Sequence, residues 1–92
     1  MRHGIIRRQF MFYGRVQGVG FRYYAYHAAE NLGITGWVKN CYDGSVEAEA
    51  QGLPEELDRW IVMLNGGRYI DIEYMEDKII PVIEENGFKI CS

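Results

Sequence analysis

A single α+β domain, one sheet with two helices on one face, is what the pattern of this 92-residue chain predicts. Two observations carry the prediction. Two segments repeat apolar residues at helical spacing and each ends at glycine. Around them lie short runs of strand character, one of which alternates apolar and polar residues without a break.

Strand one covers about Arg7 to Tyr13, with Phe10 and Phe12 on one face and Met11 and Tyr13 on the other. A glycine-rich turn follows. The first helix carries Phe21, Ala25, Ala28, Ala29 and Leu32 on one stripe and stops at Gly33. Its alanines let it lie close to a sheet. Strand two runs from about Thr35 to Cys41, and Asp43-Gly44 marks a tight turn. Strand three then points Val46, Ala48 and Ala50 inward and Glu47, Glu49 and Gln51 outward. Pro54, Glu55 and Glu56 open the second helix, since proline suits the first helical position and acids suit the dipole. Leu57, Trp60, Ile61 and Leu64 form its stripe, and Asn65-Gly66-Gly67 ends it. Strand four spans about Tyr69 to Lys78, and a short fifth strand spans Gly87 to Cys91. The order is βαββαβ plus one strand, a ferredoxin-like sandwich built of two split βαβ units.

Composition narrows the function. The chain has no internal repeat or linker, and residues 1–92 read as one domain. A net charge of −3 does not favour nucleic acid or an anionic membrane as partner. No apolar run approaches the ~20 residues of a membrane span. Met1 to Arg8 has basic residues but no h-region after them, so no signal peptide is expected and the cytoplasm is the expected location. Cys41 and Cys91 form no Cys-x-x-Cys pair, and His3 and His27 are not at ligand spacing, so no metal site is expected.

The most informative segment is Gly14-Arg15-Val16-Gln17-Gly18-Val19-Gly20-Phe21-Arg22. Glycine lets the backbone approach a ligand closely, and a turn feeding a helix N-terminus aims free N–H groups at one point. Arg22 adds a planar, permanently charged fork suited to phosphate oxygens. Arg15 and Lys39 are further sources of positive charge, though solvated charge that tunes the local potential is the plainer reading of both. Strands one and two, joined by a helix, should run parallel. Their C-terminal ends then share one edge of the sheet, which brings Asn40 to the glycine loop. The Asn40 amide carries a donor and an acceptor and no charge, so it can hold a water in line with phosphorus without repelling the phosphate. Nothing in this constellation is placed to act as a nucleophile. Such a site offers positioning and electrostatics, and suits a substrate with a good leaving group. Taken singly, Arg22 is a solvated first-turn residue and Asn40 a turn residue before Asp43-Gly44. An anion would relieve the conflict between Arg22 and the positive helix end.

Gly-Arg-Val-Gln-Gly-Val-Gly-Phe-Arg (14–22) and Gly-Trp-Val-Lys-Asn-Cys-Tyr-Asp-Gly-Ser-Val (36–46) resemble the two signature motifs of acylphosphatases, and the resemblance runs from Phe10 to the closing Gly-Phe-Lys-Ile (87–90). It implies a hydrolase, free of metal and cofactor, that cleaves the carboxyl–phosphate bond of acyl phosphates. Arg15, Val16, Gln17, Gly18, Val19, Gly20 and Arg22 would bind phosphate. Asn40 would orient the attacking water, with no phosphoenzyme. A small-molecule acyl phosphate acted on by a monomer is the expected arrangement. The ending Cys91-Ser92 departs from the more basic or aromatic end of many relatives, away from the motifs.

Two other readings stand beside it. A carbamoyl-phosphate-handling domain, like the acylphosphatase-like module of hydrogenase maturation proteins, would belong to a longer chain with zinc motifs; this chain ending at Ser92 argues for the stand-alone enzyme. An RNA-recognition domain shares the βαββαβ order but stacks bases on a face that here carries Glu47, Glu49 and Gln51. Of the remaining residues, Gln17 is also read as a brace for the loop, Trp37 as a site-lining or neighbour-packing aromatic, and His27 as a surface residue. Tyr23, Tyr24 and Tyr26 are read as packing and rim residues. Alternation puts Cys41 and Cys91 on the face away from the helices. A disulfide between them needs Cα atoms within about 7 Å, and two free thiols are expected in a reducing compartment.

Overall fold

The computed structural model describes residues 4–91; Met1, Arg2, His3 and Ser92, with the sequence readings that rest on them, lie outside the described residues. The elements are β1 (Ile6–Arg15), α1 (Phe21–Leu32), β2 (Thr35–Asn40), β3 (Val46–Gly52), α2 (Pro54–Asn65), β4 (Asp71–Ile80) and β5 (Phe88–Cys91). They form one five-stranded sheet in the order β4-β1-β3-β2-β5. β1 and β2 each pair antiparallel with β3, which lies between them, so β1 and β2 run the same way and end at one edge. β5 adds to β2 in parallel.

Alternation sorts the two faces as the sequence predicts. Phe10, Phe12, Val38, Val46, Ala48 and Ala50 are buried on the helix side. The helices cover them with Phe21, Ala25, Ala28 and Ala29 from α1 and Leu57, Trp60 and Leu64 from α2. Aromatic rings dominate this core. Phe10 and Phe12 stack at 5.5 Å, and Phe12 meets Phe21 at 5.2 Å. Each such ring is worth about 1.5–3 kcal/mol of burial. Trp60 also donates its indole N–H to the Ala25 carbonyl at 3.0 Å, which ties α2 to α1 and satisfies a buried polar group.

The start of α2 is fixed by Pro54 and by Glu56, whose carboxylate accepts from the Leu53 N–H at 3.3 Å. α1 stops where Gly33 takes a φ of +71° and returns its N–H to the helix. β2 ends one residue earlier than expected, because the Cys41 N–H is drawn into the turn by the Ser45 carbonyl at 2.8 Å. β4 begins and ends two residues later than expected. The Ile70 N–H closes a turn on Gly67, and the far end extends to pair Ile80 with Arg7.

The segment 81–87 crosses the end of the sheet remote from the C-termini of β1 and β2, on the face away from the helices. There Gln51 accepts from the Ile83 N–H at 3.0 Å and donates to the Ile83 carbonyl at 2.8 Å. Beneath it Arg7, 1% exposed, is paired with Glu49 at 2.9 Å and Glu85 at 2.8 Å. Gln51 therefore faces outward in register yet is buried.

Cys41 and Cys91 are free thiols. Cys91 sits opposite Lys39, two residues short of Cys41. With strands about 4.8 Å apart and about 3.3 Å per residue, the Cα atoms stand roughly 8 Å apart, beyond disulfide reach without backbone movement.

Candidate active site

β1 delivers the glycine loop to the edge of the sheet, and its geometry there depends on glycine. Gly14 takes a φ of +123°, and a Cβ on it would lie 2.3 Å from the Asp71 carbonyl oxygen, so only glycine permits the bulge that shifts the register with β4 before the last pairs, Gly14 with Ile72 and Arg15 with Asp71. Gly20 takes a φ of +77° as the N-cap of α1 and has no side chain to cap the helix. Two core anchors hold the loop at its ends. Val16 and Phe21 are each 1% exposed, one before and one after the turn.

The loop between these anchors presents its backbone. Among the described residues, the N–H groups of residues 17–23 make no backbone hydrogen bond, whereas that of Val16 is spent on the Gly14 carbonyl at 3.1 Å. The first turn of α1 contains no acidic residue. These unpaired amides, at the positive end of a helix dipole, form a site for an anion.

Arg22 is half-buried and donates from Nη1 to the carbonyl of Cys91 at 3.0 Å, so the end of β5 aims the guanidinium. Asn40 ends β2 on the helix side of the sheet. Its Oδ1 is a buried acceptor without a hydrogen-bond partner among the described residues. Such an atom costs about 1–3 kcal/mol unless a donor reaches it. Gly18, Gly20, Arg22 and Asn40 line one cleft of about 270 Å³, with Tyr23 and Ile90 also in its lining. Topology thus brings together the two halves that the sequence separates.

Gln17 joins these halves physically. Its Nε2 donates to the carbonyls of Cys41 and Ser45, both at 2.8 Å, and so ties the glycine loop to the β2–β3 turn. That turn is itself stiffened by Asp43. The carboxylate accepts from the Ser45 hydroxyl at 2.5 Å and from the Ser45 N–H at 3.0 Å. These bonds hold the Asp43 carboxyl below its ordinary pKa.

Lys39 stands outside the cleft. It lies on the opposite face of the sheet, 3.8 Å from Glu47 and over the ring of Trp37, which also lies off the site. Arg15 is exposed at the end of β1 and does not line the cleft. His27 is exposed and packs its ring on Tyr23 and Tyr26. Sequence reasoning missed Ile90 and the Cys91 carbonyl. The signal for either was the parity of the short closing strand, whose register beside β2 the sequence does not give.

A larger hollow, about 1040 Å³, lies at the other end of the sheet under residues 82–86. Gln51 and Glu85 on its wall are already bonded to Ile83 and Arg7. Neither the glycine loop, Arg22 nor Asn40 lines it, so the smaller cleft is the candidate site.

The family model described as Acylphosphatase matches residues 8–90. An acylphosphatase of Bifidobacterium longum is 40% identical over 84 residues, covering 90% of this chain and 87% of the relative. One of Clostridium acetobutylicum is 46% identical over 79 residues, covering 84% and 87%. The crystal structure of acylphosphatase from Bacillus subtilis superposes with a TM-score of 0.87 at 30% identity, over 95% of this chain and 99% of that one. With its glycine loop, Arg22 and Asn40 gathered at one sheet edge, this chain belongs to the acylphosphatase family and is a hydrolase.

Proposed function

We propose that this enzyme hydrolyses an acyl phosphate to carboxylate and inorganic phosphate by direct attack of water, without a phosphoenzyme. The observation that carries the reading is the buried, unpartnered Oδ1 of Asn40 in the same cleft as the unpaired loop amides and Arg22. A phosphoryl group held by those amides satisfies donors that make no backbone hydrogen bond among the described residues. A water donating to Asn40 Oδ1 satisfies the acceptor and faces the phosphorus.

In this reading the backbone from Gln17 to Gly20 and the fork of Arg22 bind the equatorial oxygens and stabilise the charge that builds on them. Arg15 raises the local positive potential, and Val16 anchors the loop through its buried side chain. Water forms the new P–O bond as the bond to the acyl oxygen breaks. The leaving carboxylate is a weak base and departs unprotonated, so no general acid is required. In a loose transition state the water proton is lost late, to a phosphoryl oxygen, so no strong base is required either.

Hydrolysis of benzoyl phosphate, followed with and without a chelator, tests the reading. Turnover indifferent to chelator is expected, with heavy-oxygen label from water appearing in phosphate and none in benzoate. Turnover abolished by the chelator, label in benzoate, or a trapped phosphoenzyme would each overturn it.

A further inference from the structure

Cys41 and Cys91 are free, half-buried thiols, and alternation puts both on the face of the sheet away from the helices. Cys91 forms the last pair of the β2–β5 ladder with Lys39, and Cys41 follows that partner by two residues. The two thiols are therefore diagonal neighbours on adjacent stretches of chain. Among the described residues, neither belongs to the lining of the phosphate cleft. Main-chain bonds nonetheless couple both to it. The Cys41 carbonyl accepts from Gln17 Nε2 at 2.8 Å, and the Cys91 carbonyl accepts from Arg22 Nη1 at 3.0 Å.

The two residues are not held equally. The Cys41 N–H donates to the Ser45 carbonyl at 2.8 Å, and its own carbonyl accepts from the Gly44 N–H at 3.2 Å as well as from Gln17. Cys91 ends a four-residue strand at the edge of the sheet. With Cα atoms roughly 8 Å apart, a bridge has to draw them together by about 1 Å or more. Cys91 is the residue that yields, and its carbonyl moves with it. A carbonyl displaced by about 1 Å no longer offers Arg22 an aligned acceptor. Oxidation on one face of the sheet thereby releases the guanidinium on the other. A disulfide closed against such a frame is strained and easily reduced, which suits a reversible switch and not a structural staple.

We propose that Cys41 and Cys91 form a dithiol modification site that a low-molecular-weight disulfide oxidises to a bridge, and that the bridge switches hydrolysis off by unseating Arg22. One thiolate attacks the oxidant, forms a mixed disulfide and expels one thiol. The other thiolate attacks the protein sulfur of that mixed disulfide and expels the second thiol. The protein thiols give up two electrons and two protons, and the oxidant takes both and leaves as two thiols. The loss of turnover rests on the hydrolytic reading above; the formation of the bridge does not.

The test treats the whole chain with glutathione disulfide and then with reduced glutathione, and compares each protein with its own reduced form. In the parent, both titratable thiols are expected to disappear without an adduct, the mass falling by the two thiol hydrogens. Turnover of benzoyl phosphate should fall about 10- to 100-fold, inhibition by inorganic phosphate should weaken, and reduced glutathione should restore both. Cys41→Ser cannot bridge and should keep its own reduced-state turnover within about 2-fold under the same oxidant. Thiols that stay titratable, a lasting glutathione adduct, or a bridge that reduced glutathione does not open would overturn the switch. So would a bridged enzyme that is unfolded or keeps full turnover, or Cys41→Ser losing as much as the parent. If the reduced parent hydrolyses no acyl phosphate, the hydrolytic reading fails, and calorimetric binding of inorganic phosphate still tests the switch. Weaker binding in the bridged form then supports it, and equal binding rejects it.

Discussion

Arg22 on the first turn of α1 donates a hydrogen bond of 3.0 Å to the main-chain carbonyl of Cys91, 69 residues away at the end of β5. The bond uses one donor of the guanidinium and fixes the plane of the rest. A lysine in this place has charge but no fork, and cannot both hold the carbonyl and meet two phosphate oxygens. Arg22→Lys and Arg22→Ala are therefore both expected to lose about 100-fold or more in kcat/KM. Steady-state hydrolysis of benzoyl phosphate reads this, and near-parental activity in Arg22→Lys would remove the fork from the mechanism.

Asn40 contributes an acceptor where the water would sit and, in this reading, makes no bond to phosphate. Asn40→Ala is expected to lower kcat by about 100-fold or more, with the inhibition constant of inorganic phosphate within about 2-fold of the parent, a margin set by ordinary context effects. If phosphate inhibition collapsed in this variant, Asn40 would be a binding group instead.

Gln17 links the cradle to the turn that follows Asn40 through its two donated bonds. Gln17→Glu removes both donors and sets a carboxylate against two carbonyls. Loss of about 1–3 kcal/mol in urea unfolding is expected, together with weaker phosphate binding as the loop loosens. Gln17→Ala should do the same more mildly. Unchanged stability in both variants would show that the brace is dispensable.

Asp43 gives a pH signature. Its pKa is depressed in the folded chain by the Ser45 hydroxyl and N–H. The stabilisation is therefore fully present above the unfolded value, near about 3.9, and is lost as pH falls through the lower folded value. Asp43→Asn is expected to be less stable than the parent at neutral pH, and the difference should shrink under acid. Urea midpoints at about pH 7 and about pH 2.5 decide it; a difference that does not change with pH would mean the carboxylate charge is irrelevant.

Arg7 tests stability away from the cleft. It is buried between Glu49 and Glu85, with Gln51 accepting a further bond at 3.1 Å. Removing one partner of such a group strands the others, at a cost of about 3–5 kcal/mol. Arg7→Ala should show this loss as a large fall in the denaturation midpoint, whereas Arg8→Ala, on a more exposed pair with Asp58 and Asp77, should lose far less.

Most of the fold is legible in the sequence because each element carries its own period. Val46, Ala48 and Ala50 alternate against Glu47, Glu49 and Gln51, and Phe21, Ala25, Ala28 and Ala29 make a helical stripe that ends at Gly33. The connectivity then places the ends of β1 and β2 together, which assigns the glycine loop, Arg22 and Asn40 to one edge of the sheet. Lys39 reads as a solvated charge that tunes the local potential, and period two sends it to the face opposite Val38 and Asn40, where it meets Glu47. The burial of Arg7 and Gln51 is not legible in the sequence. No period announces it: it arises from segment 81–87, whose path over the sheet is set by long-range bonds from Gln51 and Arg7.

The sequence by itself determined the elements, the two sheet faces, the glycine positions and the motifs of the cleft. All of these follow from local backbone freedom and from the period of side-chain burial. Tertiary structure alone decided which carbonyl aims Arg22, that Asn40 Oδ1 is left without a partner among the described residues, which carbonyls Gln17 bonds, and that Tyr23 and Ile90 line one cleft. Each of these depends on the register of β5 beside β2 or on the packing of α1 against the sheet. Such contacts join residues far apart in the chain, and no local preference encodes the distance between them.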